Sequence, residues 1–524
     1  MWVSEVEVED LFLRIVTGRR LSLLPPQRAR GQEGYKVAVP LLRGTPGDLR
    51  DNGSLKFRIL QLLLLLALWV SFGHSSDTNF ETRYSTIRAN ASRSELYTFF
   101  REMPKGGILH LHSEYAVSPE FWLKIAIANK QNEYWVRTRA EASCAGKATE
   151  QIPLFSTLSR ATWEHLPKCE QNDFKLLPLL SAAERTAWLN SLRITSAAQG
   201  RQQFFHEIVP RLNDLCADPN LMLQVLAEIT KEAAAEHVLY LELQFDPTSL
   251  RDRSGAPVSE SRFEELLKRR LSEPPIANLG VTVRFQLAAY RYASNPEREL
   301  TSAFTFIDRR RDLWVGANLL GEEGQPGGDL SRFAASFTEM RRHYDIPFSL
   351  HAGEIDTPGH QVHDALVLGA SRIGHAVNLI SDPETILLMR HAHIPIETSL
   401  VSNKVLQYTP DLAKHPFPLY LRSGIPMCLN TDDPGAWGGS LTDEFFLAAT
   451  LYHLSWHEIA GLARNSLRYA FVDDETKGRL ETRLNREIAE FEARMSSNDW
   501  RSKLSGRPEP STFARQNLGL DDDR

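Results

Sequence analysis

Eight short apolar segments between residues 107 and 430 constrain the fold of this chain more than any other feature. Each is four to eight residues long, which is typical of buried β-strands, and amphipathic stretches such as 330–343 and 363–370 separate several of them. The segments are GILHLH (107–112), VLYLELQF (238–245), VTVRFQLA (281–288), LWVGANLL (313–320), FSLH (348–351), RIGHA (372–376), IPIET (394–398) and IPMCLN (425–430). Strands that alternate with helical crossovers predict an α/β protein with a parallel (β/α)8 barrel.

Histidines and carboxylates end or follow most of these segments. They are His110, His112, Asp246, Glu323, His351, Glu354, His375, Glu397, Asp432 and Asp433. In (β/α)8 barrels the catalytic groups collect at the C-terminal ends of the strands, because the βα loops meet there. We therefore expect these side chains to share one site.

The spacing of the segments also predicts how the chain is organised. The stretch from about residue 125 to 236 is too long for a first βα connection, so we expect an insertion after the first strand. Residues 77–100 are expected to form an N-terminal helical extension, 101–500 the barrel domain and 501–524 a tail. Residues 441–495 read as helical nearly throughout, which predicts a helical C-terminal part.

An apolar run near the N-terminus predicts export. Residues 59–70 read ILQLLLLLALWV, with Lys56 and Arg58 before them and small or polar residues after them. The run is shorter than the ~20 residues of a membrane-spanning helix, and its flanks are typical of a secretory signal peptide over residues 55–76. A membrane anchor and a buried core helix are the alternatives. Residues 1–54 are expected to stay unfolded or to reflect a misassigned start.

Charge and cysteine content limit the partners and the kinds of metal site that the chain can have. A formal net charge of −6 and a pI near 6.3 argue against a nucleic-acid partner, which needs a basic face. None of the four cysteines forms a Cys-x-x-Cys pair, so a thiolate zinc site is not expected. Cys144 and Cys169 lie in the insertion, and an exported chain meets an oxidising compartment, so we predict that they form a disulfide. A Cys144–Cys216 pair and free thiols are the alternatives.

Three histidines and one aspartate offer a metal site. His110 and His112 lie two residues apart on the first strand, so both imidazoles point to the same face. His351 ends the fifth strand and Asp432 follows the eighth. Three imidazoles and one carboxylate, with water completing the shell, suit Zn²⁺, so we predict one zinc ion per chain. Glu397, at the end of the seventh strand, is a candidate to support a ligand.

Four motifs together resemble the adenosine deaminase family. They are MPKGGILHLH, LHAGE, RIGHA and LNTDDPG, in that order, and the resemblance runs from about residue 95 to 470. The insertion with its cysteines and the signal segment resemble the extracellular branch, the adenosine deaminase-related growth factors. The resemblance implies zinc-dependent hydrolytic deamination of adenosine, and of 2′-deoxyadenosine, to inosine and ammonia.

The resemblance also implies a role for each site residue. The metal ligands would be His110, His112, His351 and Asp432. Glu354 would deliver a proton to purine N1, and His375 would orient or deprotonate the attacking water. Asp433 would hydrogen-bond to N7, and the backbone N–H of Gly321 would face N3. Glu114 stands near the place where the family carries an acid that reaches the ribose.

Several alternatives share this chemistry. Another 6-aminopurine, such as adenine, AMP or a modified nucleoside, presents the same base edge. A non-catalytic, growth-factor-like binding protein on the same scaffold is a further alternative, although every motif residue is present. Deaminases of the cytidine type are excluded because they need a Cys-x-x-Cys signature. The expected partner is a small purine nucleoside, and a homodimer is one possible assembly.

Overall fold

The computed structural model describes residues 80–141, 144, 152–194, 197–506 and 509–520. The predicted signal segment and the residues before it lie outside this part of the chain. Within the described residues, no helix is both long enough and apolar enough to cross a membrane.

All eight apolar segments form strands of one parallel sheet. Across the described residues, the chain order is β1 Gly106–Ile108, β2 Tyr134–Arg137, β3 Thr157–Ser159, β4 Phe174–Leu176, β5 Val238–Gln244, β6 Thr282–Tyr290, β7 Trp314–Leu320, β8 Phe348–Ala352, β9 Arg372–His375, β10 Ile396–Thr398 and β11 Met427–Leu429. The large sheet has the order β1-β5-β6-β7-β8-β9-β10-β11. It forms a nearly closed barrel, so the predicted (β/α)8 fold is confirmed.

The barrel closes where the residues after β1 meet those after β11. Leu111 and Asp432 form a parallel bridge, and Asp432 N–H donates to the His110 carbonyl at 3.2 Å. The Asn430 Oδ1 atom accepts from the backbone N–H of Leu109 at 2.8 Å and of His110 at 3.1 Å. This side-chain amide thus replaces the missing strand pairing. The closure holds the ends of the first and last strands side by side.

Helices surround the barrel. Within the described residues, those between β5 and the C-terminal part are Glu260–Ser272, Pro274–Ala277, Pro296–Asp308, Ala334–His343, Gln361–Leu368, Pro383–Ala392, Leu400–Val405, Phe417–Arg422 and Pro434–Trp437. The C-terminal part has the helices Leu441–Leu451, Trp456–Arg468 and Asp474–Met495, as the sequence predicted, and a further short helix, Thr512–Asn517, lies in the segment expected to be a tail. Residues 80–90 and Arg93–Glu102 form two helices before β1.

Pro219–Ala235 illustrates how local sequence sets a helix. Asp218 caps it, because its carboxylate accepts from the backbone N–H groups of Asn220 and Leu221, and proline occupies the first turn. Leu221, Val225 and Ile229 recur at intervals of four residues and are buried. The helix therefore packs an apolar stripe against the strands and leads directly into β5.

A C-terminal helix closes the N-terminal end of the barrel. Gly106 has φ +75° and lies so close to Trp456–Arg468 that a Cβ atom there would sit 2.3 Å from the Ala463 carbonyl oxygen. The next residue, Gly107, donates its N–H to Ser466 Oγ at 2.7 Å. Only glycine allows this approach. The C-terminal ends of the strands, where we expect the functional residues to collect, lie at the opposite end of the barrel.

The insertion contains a small sheet that the sequence did not predict. Strands β2, β3 and β4 form an antiparallel sheet in the order β3-β2-β4. Among the described residues, the α-helices that accompany this sheet in the insertion and at its start are Pro119–Ala128, Arg160–Glu164, Lys168–Gln171, Ala182–Ser191, Gly200–Gln203 and Val209–Cys216. Cys144 and Cys169 form a disulfide with their Cα atoms 6.0 Å apart, which confirms the predicted pairing, and Cys216 is free.

Candidate active site

The four predicted metal ligands converge at the C-terminal end of the barrel. The possible ligand atoms of His110, His112, His351 and Asp432 all lie within 4.8 Å of one another. Asp432 Oδ1 is 3.3 Å from His110 Nε2 and 3.1 Å from His112 Nε2. The ring centroids of His110 and His351 are 4.5 Å apart. All four side chains are within reach of a single cation.

The donor set of this cluster fits Zn²⁺. His110 Nε2 and Asp432 Oδ1 are buried without a hydrogen-bond partner in the described part of the chain, which is costly unless another group binds them. Burial alone would lower the pKa of His110, but the Asp432 and Glu397 carboxylates raise it to about 9. The cluster therefore attracts positive charge, and its nitrogen and oxygen donors are those of catalytic zinc sites.

Two hydrogen bonds fix the orientation of the candidate ligand rings. His110 Nδ1 lies 2.9 Å from Glu397 Oε2, and His351 Nδ1 lies 3.0 Å from Asn318 Oδ1. A carboxylate and an amide carbonyl both accept, so each ring carries a proton on Nδ1, and Nε2 is the atom that would bind a metal. Glu397 thus orients the ring of His110, a candidate ligand. The sequence did not point to Asn318.

A buried charged network inside the barrel holds Glu397. Its carboxylate accepts from Ser349 Oγ at 2.9 Å and forms an ion pair with Arg372. The same guanidinium pairs with Glu242 on β5 and stacks on the Phe471 ring, 3.4 Å from its centroid. Burial alone would raise the pKa of Glu397, but Arg372 and His110 lower it to about 2. The carboxylate therefore stays ionised beneath the candidate metal ligands.

Asp432 is held in a conformation that few non-glycine residues adopt. Its φ is +60°, in the left-handed region, and its backbone belongs to the barrel closure. Ser402 Oγ donates to Asp432 Oδ2 at 2.6 Å, which leaves Oδ1 facing the histidines. Burial alone would raise its pKa, but His110 and His112 keep it well below the ordinary value.

Glu354 lies beside the cluster on a turn that another carboxylate holds. Glu323 accepts from the backbone N–H groups of Gly353 and Glu354, both at 2.9 Å. Glu354 is buried, and this burial, reinforced by the Asp432 and Glu323 charges, raises its pKa well above the ordinary value. A protonated carboxyl at this place can donate a proton. The sequence marked Glu323 only as a strand end, without a role.

Asp433 is a second buried carboxyl whose pKa is raised. It is buried next to Asp432, and burial, followed by the charges of Asp432 and Glu354, raises its pKa well above the ordinary value. Its Oδ1 atom has no hydrogen-bond partner in the part of the chain that the structure describes. A neutral carboxyl with a free oxygen can both donate to and accept from a ligand.

His375 completes the group at the end of β9. It is buried, and His375 and Ala376 both have positive φ, at 65° and 52°. Asn403 Nδ2 lies 3.2 Å from its Nδ1, and Glu354 Oε1 lies 3.4 Å from the same atom. Asn403 comes directly after Ser402 in the helix Leu400–Val405, so one short helix supports both His375 and Asp432.

A cavity of about 740 Å³ opens above these residues. His112, His351, Glu354, His375, Asp432 and Asp433 line its floor, and Gly321 and Glu114 line its wall. Burial raises the pKa of Glu114 to about 7. The insertion contributes Phe204, Phe205 and Val209 to the lining. Of the residues that the sequence assigned to metal binding, substrate binding or proton transfer, all except the fully buried His110 line this one cavity.

Some supporting residues gave a signal that sequence reasoning did not use. Ser402 and Asn403 lie in the first helix after β10, at the end of the barrel where site residues collect. Glu242, Gln286 and Asn318 are polar residues inside apolar strand segments. Because a buried polar side chain needs partners, such positions indicate an internal network, although not which ligand it serves.

Comparison with known proteins identifies the family. A model of the adenosine deaminase family matches residues 171–487, more than half of the chain. The adenosine deaminase of Enterococcus faecalis is 29% identical over 272 residues, which cover 52% of this chain and 78% of that protein. The adenosine deaminase of Phlebotomus duboscqi is 26% identical over 419 residues, covering 75% of this chain and 78% of that protein.

Solved structures share the fold. An adenine deaminase from Arthrobacter aurescens superposes with a TM-score of 0.52 at 21% identity, covering 74% of this chain and 99% of that one. An amidohydrolase from Burkholderia ambifaria, solved with bound Zn, gives a TM-score of 0.57 at 17% identity, covering 76% and 94%. The family match, the barrel and the four motifs in their expected places agree, and the chain belongs to the adenosine deaminase family.

Proposed function

We propose that this protein is a zinc-dependent hydrolase that converts adenosine, and 2′-deoxyadenosine, to inosine or its deoxy form and ammonia. The observation that carries the proposal is that four candidate metal ligands and two buried carboxyls with raised pKa values, Glu354 and Asp433, meet at one cavity. In the proposed deamination of a 6-aminopurine, the metal site would activate a water, and the two carboxyls would each donate to a ring nitrogen.

The residues divide the reaction as follows. One Zn²⁺ held by His110, His112, His351 and Asp432 would lower the pKa of a bound water towards ~7. As the water oxygen adds to C6 of the purine, the Glu354 carboxyl gives its proton to N1, where electron density collects, and the resulting carboxylate takes one of the two protons of the water. The other water proton passes to the amino group, the C6–N6 bond breaks, and ammonia leaves as the C6 oxygen becomes a carbonyl. Asp433 donates to N7 throughout and orients the base.

The charge of the cavity favours a nucleoside over a nucleotide. Among its described lining residues, Arg251 is the only lysine or arginine, whereas Glu114, Asp214, Asp246 and Glu299 are acidic. A phosphate would meet carboxylates without the arginine and lysine donors that usually bind it. The volume of about 740 Å³ leaves room for a ribose beyond the base, which favours a nucleoside over free adenine.

A substrate panel tests this assignment. Purified, zinc-loaded protein is assayed by ultraviolet absorbance with adenosine, 2′-deoxyadenosine, adenine, AMP and N6-methyl-AMP. We expect kcat/KM to be highest for the two nucleosides and at least about 100-fold lower for AMP, a gap of roughly 2.7 kcal/mol. AMP or adenine as the best substrate would contradict the assignment but not the family.

We also propose that the chain is exported and belongs to the extracellular branch of the family. The signal-like segment 55–76 and the Cys144–Cys169 disulfide support export, because such bonds persist in oxidising compartments. N-terminal sequencing of the mature protein should find a new terminus near residues 73–76. A mature protein that retains the apolar run would contradict cleavage and favour a membrane anchor.

A further inference from the structure

We infer that Asn403 and His415 are positioning residues that fix the proton of His375 on Nε2. His375 then donates a hydrogen bond to the attacking water and does not act as its base. The inference rests on the proposed deaminase function for its consequence, whereas the position of the proton can be measured independently of turnover.

The hydrogen-bond chain starts at a backbone donor, which has only one direction. Phe417 N–H donates to His415 Nδ1 at 3.0 Å, so this nitrogen carries no proton. His415 is buried, and burial lowers its pKa to about 3. The ring is therefore neutral, and its one proton is on Nε2.

The same logic orients the amide of Asn403. His415 Nε2 lies 3.1 Å from Asn403 Oδ1, so the protonated nitrogen faces the carbonyl oxygen. A flipped amide would place two donors against each other. The Asn403 NH₂ group therefore faces His375 Nδ1 at 3.2 Å. An NH₂ group only donates, so His375 Nδ1 must accept.

An accepting Nδ1 decides what His375 can offer to the site. A neutral imidazole has one proton, which must then be on Nε2. That atom is buried and has no partner in the described part of the chain. The His375 ring centroid lies 4.7 Å from that of His110 and 5.2 Å from that of His351. His375 thus presents a donor beside the candidate ligands, and a donor orients a water molecule but cannot take its proton.

The helix that carries Asn403 is fixed at its N-terminus and at Ser402. Glu444 is buried, and its carboxyl accepts from the backbone N–H groups of Leu400 and Val401 at 2.8 and 3.0 Å. Ser402, the residue before Asn403, donates to Asp432 at 2.6 Å. The amide therefore has little freedom to rotate, as a positioning residue requires.

Glu354 is the competing influence on His375. Its Oε1 atom lies 3.4 Å from Nδ1, and an ionised carboxylate there would favour a proton on Nδ1. The geometry does not make this a hydrogen bond, because Glu354 Oε1 has no such partner among the described residues. The Asn403 contact is shorter and comes from an oriented donor. Replacing Glu354 separates the two influences.

The test is NMR of zinc-loaded protein with ¹⁵N-labelled histidine rings, in which the signals that disappear in His375→Gln identify His375. We expect the proton on Nε2 in wild type and in Glu354→Gln. In Asn403→Asp a carboxylate of the same shape accepts from both rings, so the proton should move to Nδ1. Zinc content should stay unchanged, KM should change by less than about threefold, and kcat should fall by at least about tenfold.

The control is Asn465→Asp, the same change at a residue on the C-terminal helix Trp456–Arg468. The side-chain amide of Asn465 donates to the carbonyl of Met427 on β11. The Asn465→Asp variant should alter neither the His375 signals nor kcat. A proton on Nδ1 in wild type, or one that moves in Glu354→Gln, would overturn the inference. The inference would also be overturned if the Asn403→Asp variant moved the proton to Nδ1 of His375 and kept or raised kcat. If the wild-type protein binds zinc but does not deaminate adenosine, the proposed function is contradicted, whereas the assigned position of the proton on His375 is not affected.

Discussion

Glu397 Oε2 lies 2.9 Å from His110 Nδ1, and both side chains are fully buried. This contact fixes the ring so that Nε2 faces the candidate metal centre. We predict that Glu397→Gln weakens zinc affinity by about 10- to 100-fold, because the ligand loses the carboxylate that orients and polarises it. Competition against a fluorescent chelator measures this affinity.

The matched control is Glu458→Gln, a half-buried carboxylate that pairs with Arg422 on the outside of the barrel. It should leave zinc affinity unchanged. An unchanged affinity in Glu397→Gln, with the protein folded, would show that His110 needs no such support or is not a ligand.

Glu354→Gln tests the proton donor. The variant keeps the shape of the side chain and its backbone contacts with Glu323, so zinc should still bind in full. Turnover should fall by about 10²–10⁴-fold, because an amide cannot protonate N1. Steady-state kinetics with adenosine, alongside metal analysis of the same sample, decides it. A kcat near that of wild type would assign the proton to another group.

The buried carboxyl of Asp443 should make stability depend on pH. Tyr97 and Ser511 donate to it at 2.8 and 2.7 Å, and burial raises its pKa from 3.8 to about 7. The folded protein binds this proton more tightly than the unfolded chain, so the stabilisation is full below pH ~4 and is lost as pH rises through ~7. Between pH 5 and 8, wild type should lose about 2–3 kcal/mol more unfolding free energy than Asp443→Asn.

Urea unfolding of both proteins at the two pH values measures the difference. Contributions from metal ligands and other carboxyls are common to wild type and variant and cancel in the comparison. Parallel pH dependences would show that Asp443 is ionised in the folded protein, with its charge compensated.

The disulfide should hold the insertion together. Replacing Cys144 and Cys169 by serine is predicted to cost about 3 kcal/mol in the chain-entropy model, given the sequence separation of 25 residues. The loss should appear as faster proteolysis within residues 125–216, while Cys216→Ser should leave the rate unchanged. Recovery of both cysteines alkylated without reduction, from exported protein, would rule the bond out.

The barrel and the convergence of its four candidate metal ligands could be predicted from the sequence, because both leave a local pattern in it. Buried parallel strands are continuous apolar runs, and the site residues stand at the ends of those runs, so both are visible in one dimension. His110 and His351 are clear examples, because each lies in a short apolar strand segment and both belong to the group of candidate ligands. The strand period and the fold rules then bring them together without knowledge of the loops.

The supporting residues could not be predicted in the same way. Ser402 and Asn403 lie on a short helix whose first N–H groups are bound by Glu444 on a helix distant in sequence, and His415 contacts Asn403 from a later turn. Strands β2, β3 and β4 are only three or four residues long and carry no sustained alternation, so their sheet leaves little pattern in the sequence. Their pairing is decided by tertiary contacts.

Zinc titration of chelated protein, with adenosine turnover followed by ultraviolet absorbance, is the decisive test of a zinc-dependent deaminase. We expect no turnover without metal, then a linear rise that stops at one zinc ion per chain, because His110, His112, His351 and Asp432 form one candidate site. Full turnover in protein free of divalent metal would contradict it. So would the absence of deamination of any 6-aminopurine nucleoside by protein that holds one zinc ion per chain.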